Sequence, residues 1–199
     1  MPDLSLDTRC NLLATAVHQA VVTSRSGELR AVNSAMDDLC HLLREAAVSS
    51  VFIVGNGGSA AVAAHIANDY VNVAKLRAIT LHDAAVLTCM ANDYGYDIAY
   101  ARLVRTMARK GDILIAISSS GNSPNILNAV SAAVEVGART VTLSGFRADN
   151  KLRRLGDINI WVPVEDYGLA EISHLVILHN LADRLREMRA TEAAAKDGE

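Results

Sequence analysis

From Ser50 onward the chain alternates short apolar, β-branched runs with helical segments, and this pattern limits the fold more than any other feature. The runs fall at 50–54, 77–81, 112–118, 139–144 and 158–162. Helical spacing fills the gaps near 59–73, 84–92, 97–108, 123–136 and 170–188. Strands that are apolar throughout belong to a parallel sheet buried on both faces. Right-handed crossovers then give a three-layer, doubly wound α/β sandwich with a five-stranded parallel sheet. Ahead of it, 4–24 and 28–47 read as an N-terminal pair of amphipathic helices, broken at Ser24-Arg25-Ser26-Gly27. The expected organisation is one domain over 1–199: N-terminal helices in 1–48, an α/β core with its C-terminal helix in 49–189, and a tail in 190–199.

The composition excludes several classes of function. The chain is 51% hydrophobic, yet its apolar runs are far shorter than the ~20 residues of a membrane span. The net charge is −3 and aromatics make up 4%, with no long basic tract, which argues against nucleic-acid binding. Cys10, Cys40 and Cys89 are scattered and form neither a disulfide framework nor a CxxC pair. The opening residues lack the hydrophobic centre of a secretory peptide. The expectation is a soluble cytoplasmic protein.

Two strand ends carry loops suited to an anion, and ligands of open parallel sheets bind at such ends. The first is Gly55-Asn56-Gly57-Gly58-Ser59, between the strand at 50–54 and a helix. Glycines permit close backbone approach, and a helix start offers free N–H groups to an anion. The second is Ser118-Ser119-Ser120-Gly121-Asn122-Ser123, followed by Pro124 in the first helical turn. Helix capping alone does not call for four serines in six residues. Neither loop is a Walker A or dinucleotide motif. Together they point to phosphate held by Asn56, Gly57, Gly58, Ser59, Ser118, Ser119, Ser120 and Ser123.

Histidines and carboxylates gather on two helices. His65 and Asp69 are spaced i,i+4 and share a face. Glu171 and His179 lie roughly 80° apart around the last helix. Two imidazoles and two carboxylates suit a divalent cation. His174, on the same apolar helix, reads instead as a hydrogen-bonded core histidine.

The two loops in this order, with Ala91-Asn92-Asp93-Tyr94, Gly111-Asp112, Thr142-Leu143-Ser144-Gly145 and Val162-Pro163, resemble the sugar isomerase (SIS) domain. The whole set is similar to its phosphoheptose isomerase branch. That resemblance implies a homotetramer that converts D-sedoheptulose 7-phosphate to D-glycero-D-manno-heptose 7-phosphate. It also implies a metal ion, zinc by default, at His65, Asp69, Glu171 and His179. Asp69 becomes the expected base, His179 its acid/base partner or a ligand, and Glu171 a group able to exchange roles with Asp69. Asp69, Glu171, Asn92 and Asp93 are expected to contact the sugar. Two positions depart from the family, which has glutamate where this chain has Asp69 and glutamine where it has Glu171. The competing reading is a non-catalytic SIS-domain protein that binds a phosphosugar or a replication initiator. A phosphosugar-sensing regulator is a third, although 48 residues before the first core strand leave little room for a DNA-binding domain.

Overall fold

The computed structural model describes residues 5–45 and 49–197. Helix α1 (Leu6–His18) leads into a hairpin, β1 (Val21–Ser24) and β2 (Leu29–Arg30), and then α2 (Val32–Glu45). The alternating core follows: β3 (Ser50–Val54), α3 (Gly58–Asn72), β4 (Arg77–Thr80), α4 (Ala84–Tyr94), α5 (Tyr96–Met107) and β5 (Ile113–Ser118). It continues with α6 (Pro124–Val136), β6 (Arg139–Ser144), a 3-10 turn at Leu152–Arg154, β7 (Ile158–Trp161) and the long α7 (Tyr167–Asp197).

One mixed sheet runs through the molecule in the order β2-β1-β7-β6-β5-β3-β4. Strands β3 to β7 are mutually parallel, and β3 and β5 show the near-unbroken apolar runs of strands buried on both faces. Successive side chains of a strand point to opposite faces. Val51, Ile53, Ile113, Ile115 and Ile117 therefore enter one core with α1, α2, α3 and α7. Phe52, Val54, Leu114 and Ala116 enter the other with α5 and α6.

The expected five-stranded sheet is corrected to seven strands. β1 pairs antiparallel with β7, in the register Val22↔Ile160, and β2 pairs antiparallel with β1. Residues 21–24 and 29–30 thus leave the two helices expected at 4–24 and 28–47. The helix starting at residue 4 and the end of the second at 46–47 lie partly outside the described residues. The physical reason is the edge of the parallel sheet. Uncovered, β7 would present a row of unpaired N–H and C=O groups, and β1 satisfies them. Gly27, with φ +86°, closes the hairpin, and Ser24 N–H donates to Glu28 O at 2.9 Å. Among the described residues no helix is long and apolar enough to cross a membrane.

The topology places the site. Adjacent strands β3 and β5 both end at the same sheet edge, so the loops after them are neighbours. Both α3 and α7 leave that edge and run side by side in one core, where Ala63, Ile66 and Tyr70 meet Leu178, Leu181 and Ala182. Pro124 at the first turn of α6 and Gly137 in left-handed conformation just past its end fix the helix that carries the serine loop.

Candidate functional site

A cavity of about 300 Å³ opens where the two loops meet. The first loop lines it with Asn56, Gly57, Gly58 and Ser59, and the second with Ser118, Ser119, Ser120 and Ser123. Tyr167 and Glu171, one turn apart on α7, close the third side. Every residue expected to hold phosphate is therefore brought together. A larger cleft of about 430 Å³ lies among His41, Arg44, Lys75 and Arg189, but Glu45 and Glu192 line it too, so it offers no comparable anion cradle.

The loops are held from behind. The Asn56 and Asn125 amides exchange reciprocal hydrogen bonds of 2.9 and 2.8 Å. Tyr96 Oη donates to Asn56 Oδ1 at 2.8 Å, and Tyr100 Oη to Gly55 O at 2.9 Å. In the serine loop, Ser118 Oγ donates to Ser123 Oγ at 3.2 Å. Gly121, at φ +64°, leaves room for Asn150, whose Oδ1 would lie 2.0 Å from any Cβ there. The hydroxyl of Ser119 is buried without a hydrogen-bond partner. A buried orphan hydroxyl costs free energy unless a ligand meets it.

Glu171 rests on the first loop. A Cβ built on Gly58 would lie 2.1 Å from Glu171 Oε2. Partial burial pushes the Glu171 carboxyl above the ordinary glutamate range.

Farther along the same two helices sits a second group. Asp69 Oδ2 lies 3.2 Å from His65 Nε2 and 3.5 Å from His179 Nε2. One ligand atom from each residue falls within 4.8 Å of the others. Neither contact has hydrogen-bond geometry, so Asp69 Oδ2 is buried and unpartnered. Behind it, His179 Nδ1 is 3.2 Å from Asp183 Oδ2.

Three of the four expected metal ligands therefore converge, and Glu171 does not. It precedes His179 by eight residues on α7, about 12 Å of helix rise, and turns to Gly58 instead. Two imidazoles and a carboxylate are still a three-ligand set of the catalytic zinc type. The orphaned oxygen facing two imidazole nitrogens fits such an ion.

Asn92 and Asp93 do not line the cavity. They sit exposed at the end of α4, where Asn92 Nδ2 donates to Asp93 Oδ1 at 2.8 Å and Cys89 Sγ lies 3.5 Å from Asp93 Oδ2. His174 is a core residue, as its surroundings in sequence suggested. It is fully buried, Nε2 lies 3.1 Å from Ser144 O, and burial pushes its pKa down to about 4. Sequence reasoning missed Tyr96, Tyr100, Asn125 and Tyr167. Of these only Asn125 had a local signal, its place next to Pro124 at the helix start.

The family model described as "SIS domain" matches residues 14–145, well over half of the chain and both loops. The chain belongs to the SIS-domain family. The match includes His65 and Asp69 and stops before Glu171 and His179. Curated relatives extend it. The phosphoheptose isomerase of Geobacter sp. (strain M21) is 37% identical over 173 residues, covering 83% of this chain and 88% of that one. That of Helicobacter pylori (strain HPAG1) is 40% identical over 139 residues, covering 67% and 72%. Among solved structures, the phosphoheptose isomerase of Neisseria gonorrhoeae superposes with a TM-score of 0.76 at 28% identity, covering 90% of this chain and 94% of that one. The phosphoheptose isomerase of Francisella tularensis gives 0.77 at 25% identity, covering 91% and 94%. Within the SIS-domain family, the chain lies in the phosphoheptose isomerase branch.

Proposed function

We propose that this SIS-domain protein is a sugar-phosphate isomerase converting D-sedoheptulose 7-phosphate to D-glycero-D-manno-heptose 7-phosphate. The observation that carries the reading is the pairing of a phosphate cradle, at the ends of β3 and β5, with an acid–imidazole group farther along α3 and α7. The serine and glycine loops bind the phosphate, remote from the reacting carbons, and that binding energy holds the sugar in place. An extended chain rises ~1.2 Å per bond, so C1 of a heptose lies about 10 Å from its 7-phosphate phosphorus. That length matches the helix rise of about 12 Å separating Glu171, beside the cradle, from His179.

Isomerisation removes a proton from C1 of the ketose and returns one to C2, while a proton moves from O1 to O2. Asp69 takes and returns the carbon-bound proton. Its carboxylate has two oxygens, so Oδ2 can face the imidazoles while Oδ1 carries the proton. His179 takes one of two roles: with Nε2 free it is the acid/base partner that serves the sugar oxygens, and with Nε2 on a cation it is a ligand. Glu171, with its raised pKa, contacts the sugar hydroxyls next to the phosphate. The exchanged assignment, with Glu171 as the base and Asp69 only a ligand, requires a sugar folded back so that its reacting carbons lie beside the cradle. His65, Asp69 and His179 would hold a divalent cation, zinc by default, which when bound supplies polarisation of the sugar carbonyl. A non-catalytic phosphosugar binder would have no use for this group.

The reading includes a homotetramer in the cytoplasm. Helix α4 has no buried residue, and Val86, Tyr94, Tyr96 and Ile98 are exposed on and beside it. The His65 and His179 side chains are about half exposed, and a second copy over this side would exclude water from them. Light scattering tests the assembly, and a clean monomer at working concentration would count against it. The function is tested by incubating the purified protein with a panel of ketose phosphates, analysing products and measuring bound metal together. No turnover of any ketose 7-phosphate would overturn the reading.

A further inference from the structure

The proposed ligand His179 has a carboxylate behind it on its own helix. Asp183 Oδ2 lies 3.2 Å from His179 Nδ1, and the other nitrogen, Nε2, faces Asp69. The second Asp183 oxygen, Oδ1, is 3.3 Å from Arg186 Nη1, so the carboxylate is steadied from the side away from the imidazole. The i,i+4 spacing of His179 and Asp183 places both on one face of α7.

An ionised carboxylate only accepts hydrogen bonds. The contact therefore requires the proton on Nδ1, which leaves the Nε2 lone pair directed at the cluster. A neutral imidazole without this partner would divide between two tautomers, and one of them places a proton where a metal should bind. Carboxylates behind ligating histidines act in this way at many metal centres, fixing ring orientation and tautomer. His65 has no such partner among the described residues: its only ion-pair contact is Asp69, through Nε2. The two imidazoles are therefore not equivalent.

We propose that Asp183 is a positioning residue that fixes the His179 tautomer and so prepares the site for a divalent cation. The proposal rests on the metal reading above. It assigns no contact between Asp183 and substrate.

Zinc affinity of the full-length protein, measured by competition with a chromophoric chelator, tests it in wild type, Asp183→Ala, Asp183→Asn and His179→Ala. Asp183→Ala is expected to bind zinc about 10–100-fold more weakly. Asp183→Asn should keep most of the affinity, because its amide oxygen still accepts from Nδ1–H. Nitrogen NMR of His179 in the metal-free protein gives a readout that activity does not. Wild type and Asp183→Asn should show the Nδ1–H tautomer, and Asp183→Ala a mixture. Wild-type zinc affinity in Asp183→Ala, or an Nε2–H tautomer in wild type, would overturn the role of Asp183 alone. Wild-type protein that binds no zinc, or binds it equally well in His179→Ala, would overturn the metal reading and this proposal with it.

Discussion

The carboxylate of Glu171 occupies the space that a side chain on Gly58 would need, with Oε2 2.1 Å from the Cβ position. Gly58 begins α3 and has no positive φ, so its missing side chain serves the neighbour across the cavity rather than the backbone. Gly58→Ala is expected to fold as well as wild type, since the atoms its Cβ would meet are the far end of the Glu171 side chain and not backbone. It should displace the flexible end of Glu171 and lower kcat/KM at least tenfold. Thermal melting alongside steady-state kinetics checks both halves.

The buried Ser119 hydroxyl should donate to the substrate phosphate. A hydrogen bond to a charged group contributes about 1.5–3 kcal/mol. Ser119→Ala is thus expected to raise KM by roughly 10–100-fold, with kcat little changed. A fall in kcat at constant KM would instead place Ser119 at the reacting carbons.

Asp69→Asn and Glu171→Gln separate the two carboxylates. Asp69→Asn should lose zinc and drop kcat by about 10²–10⁴-fold. Glu171→Gln should keep wild-type zinc, because Glu171 stands apart from the three clustered residues. It should retain measurable turnover with a raised KM. Collapse of kcat in Glu171→Gln with its zinc intact would reverse the assignment of the base.

His174 makes stability depend on pH. Its folded pKa is about 4, against about 6.5 when unfolded, so between these values the unfolded chain binds the extra proton. This contribution is fully present above pH ~6.5 and is lost as the pH falls toward ~4, on the order of 3 kcal/mol in all. In His174→Gln an amide can donate to Ser144 O without titrating. Urea unfolding at pH 7 and pH 4.5 should show wild type losing more stability than the variant. Equal losses would mean that His174 is charged in the folded protein.

Strands β3 and β5 were legible because each is a closed apolar run, and a strand buried on both faces leaves that trace locally. The hairpin was not. Val21, Val22 and Thr23 continue the apolar spacing of α1, and only the distant β7 edge decides that they are extended. The phosphate loops were legible because glycine and serine at a strand end carry their meaning in a few residues. The metal group was read in part. Helical periodicity reports which face Glu171 and His179 share, but not that eight residues of rise set them at different depths. Tyr96 and Asn125 left almost no trace, since their role is to reach Asn56 from other elements.

The pairing of β1 with β7 ties the beginning of the chain to its end, and Arg9 reinforces it by an ion pair of 3.1 Å to Asp166. During synthesis the first strand has no partner but β2 until residues 158–161 emerge, and α1 and α2 have no α7 to pack on. The half-made chain must carry its apolar helices uncovered while the parallel strands assemble behind them, a state open to aggregation and to chaperones. Contacts of such long sequence separation also slow folding. Loss of the last strand and helix would therefore release residues 5–45 as well as the segment removed.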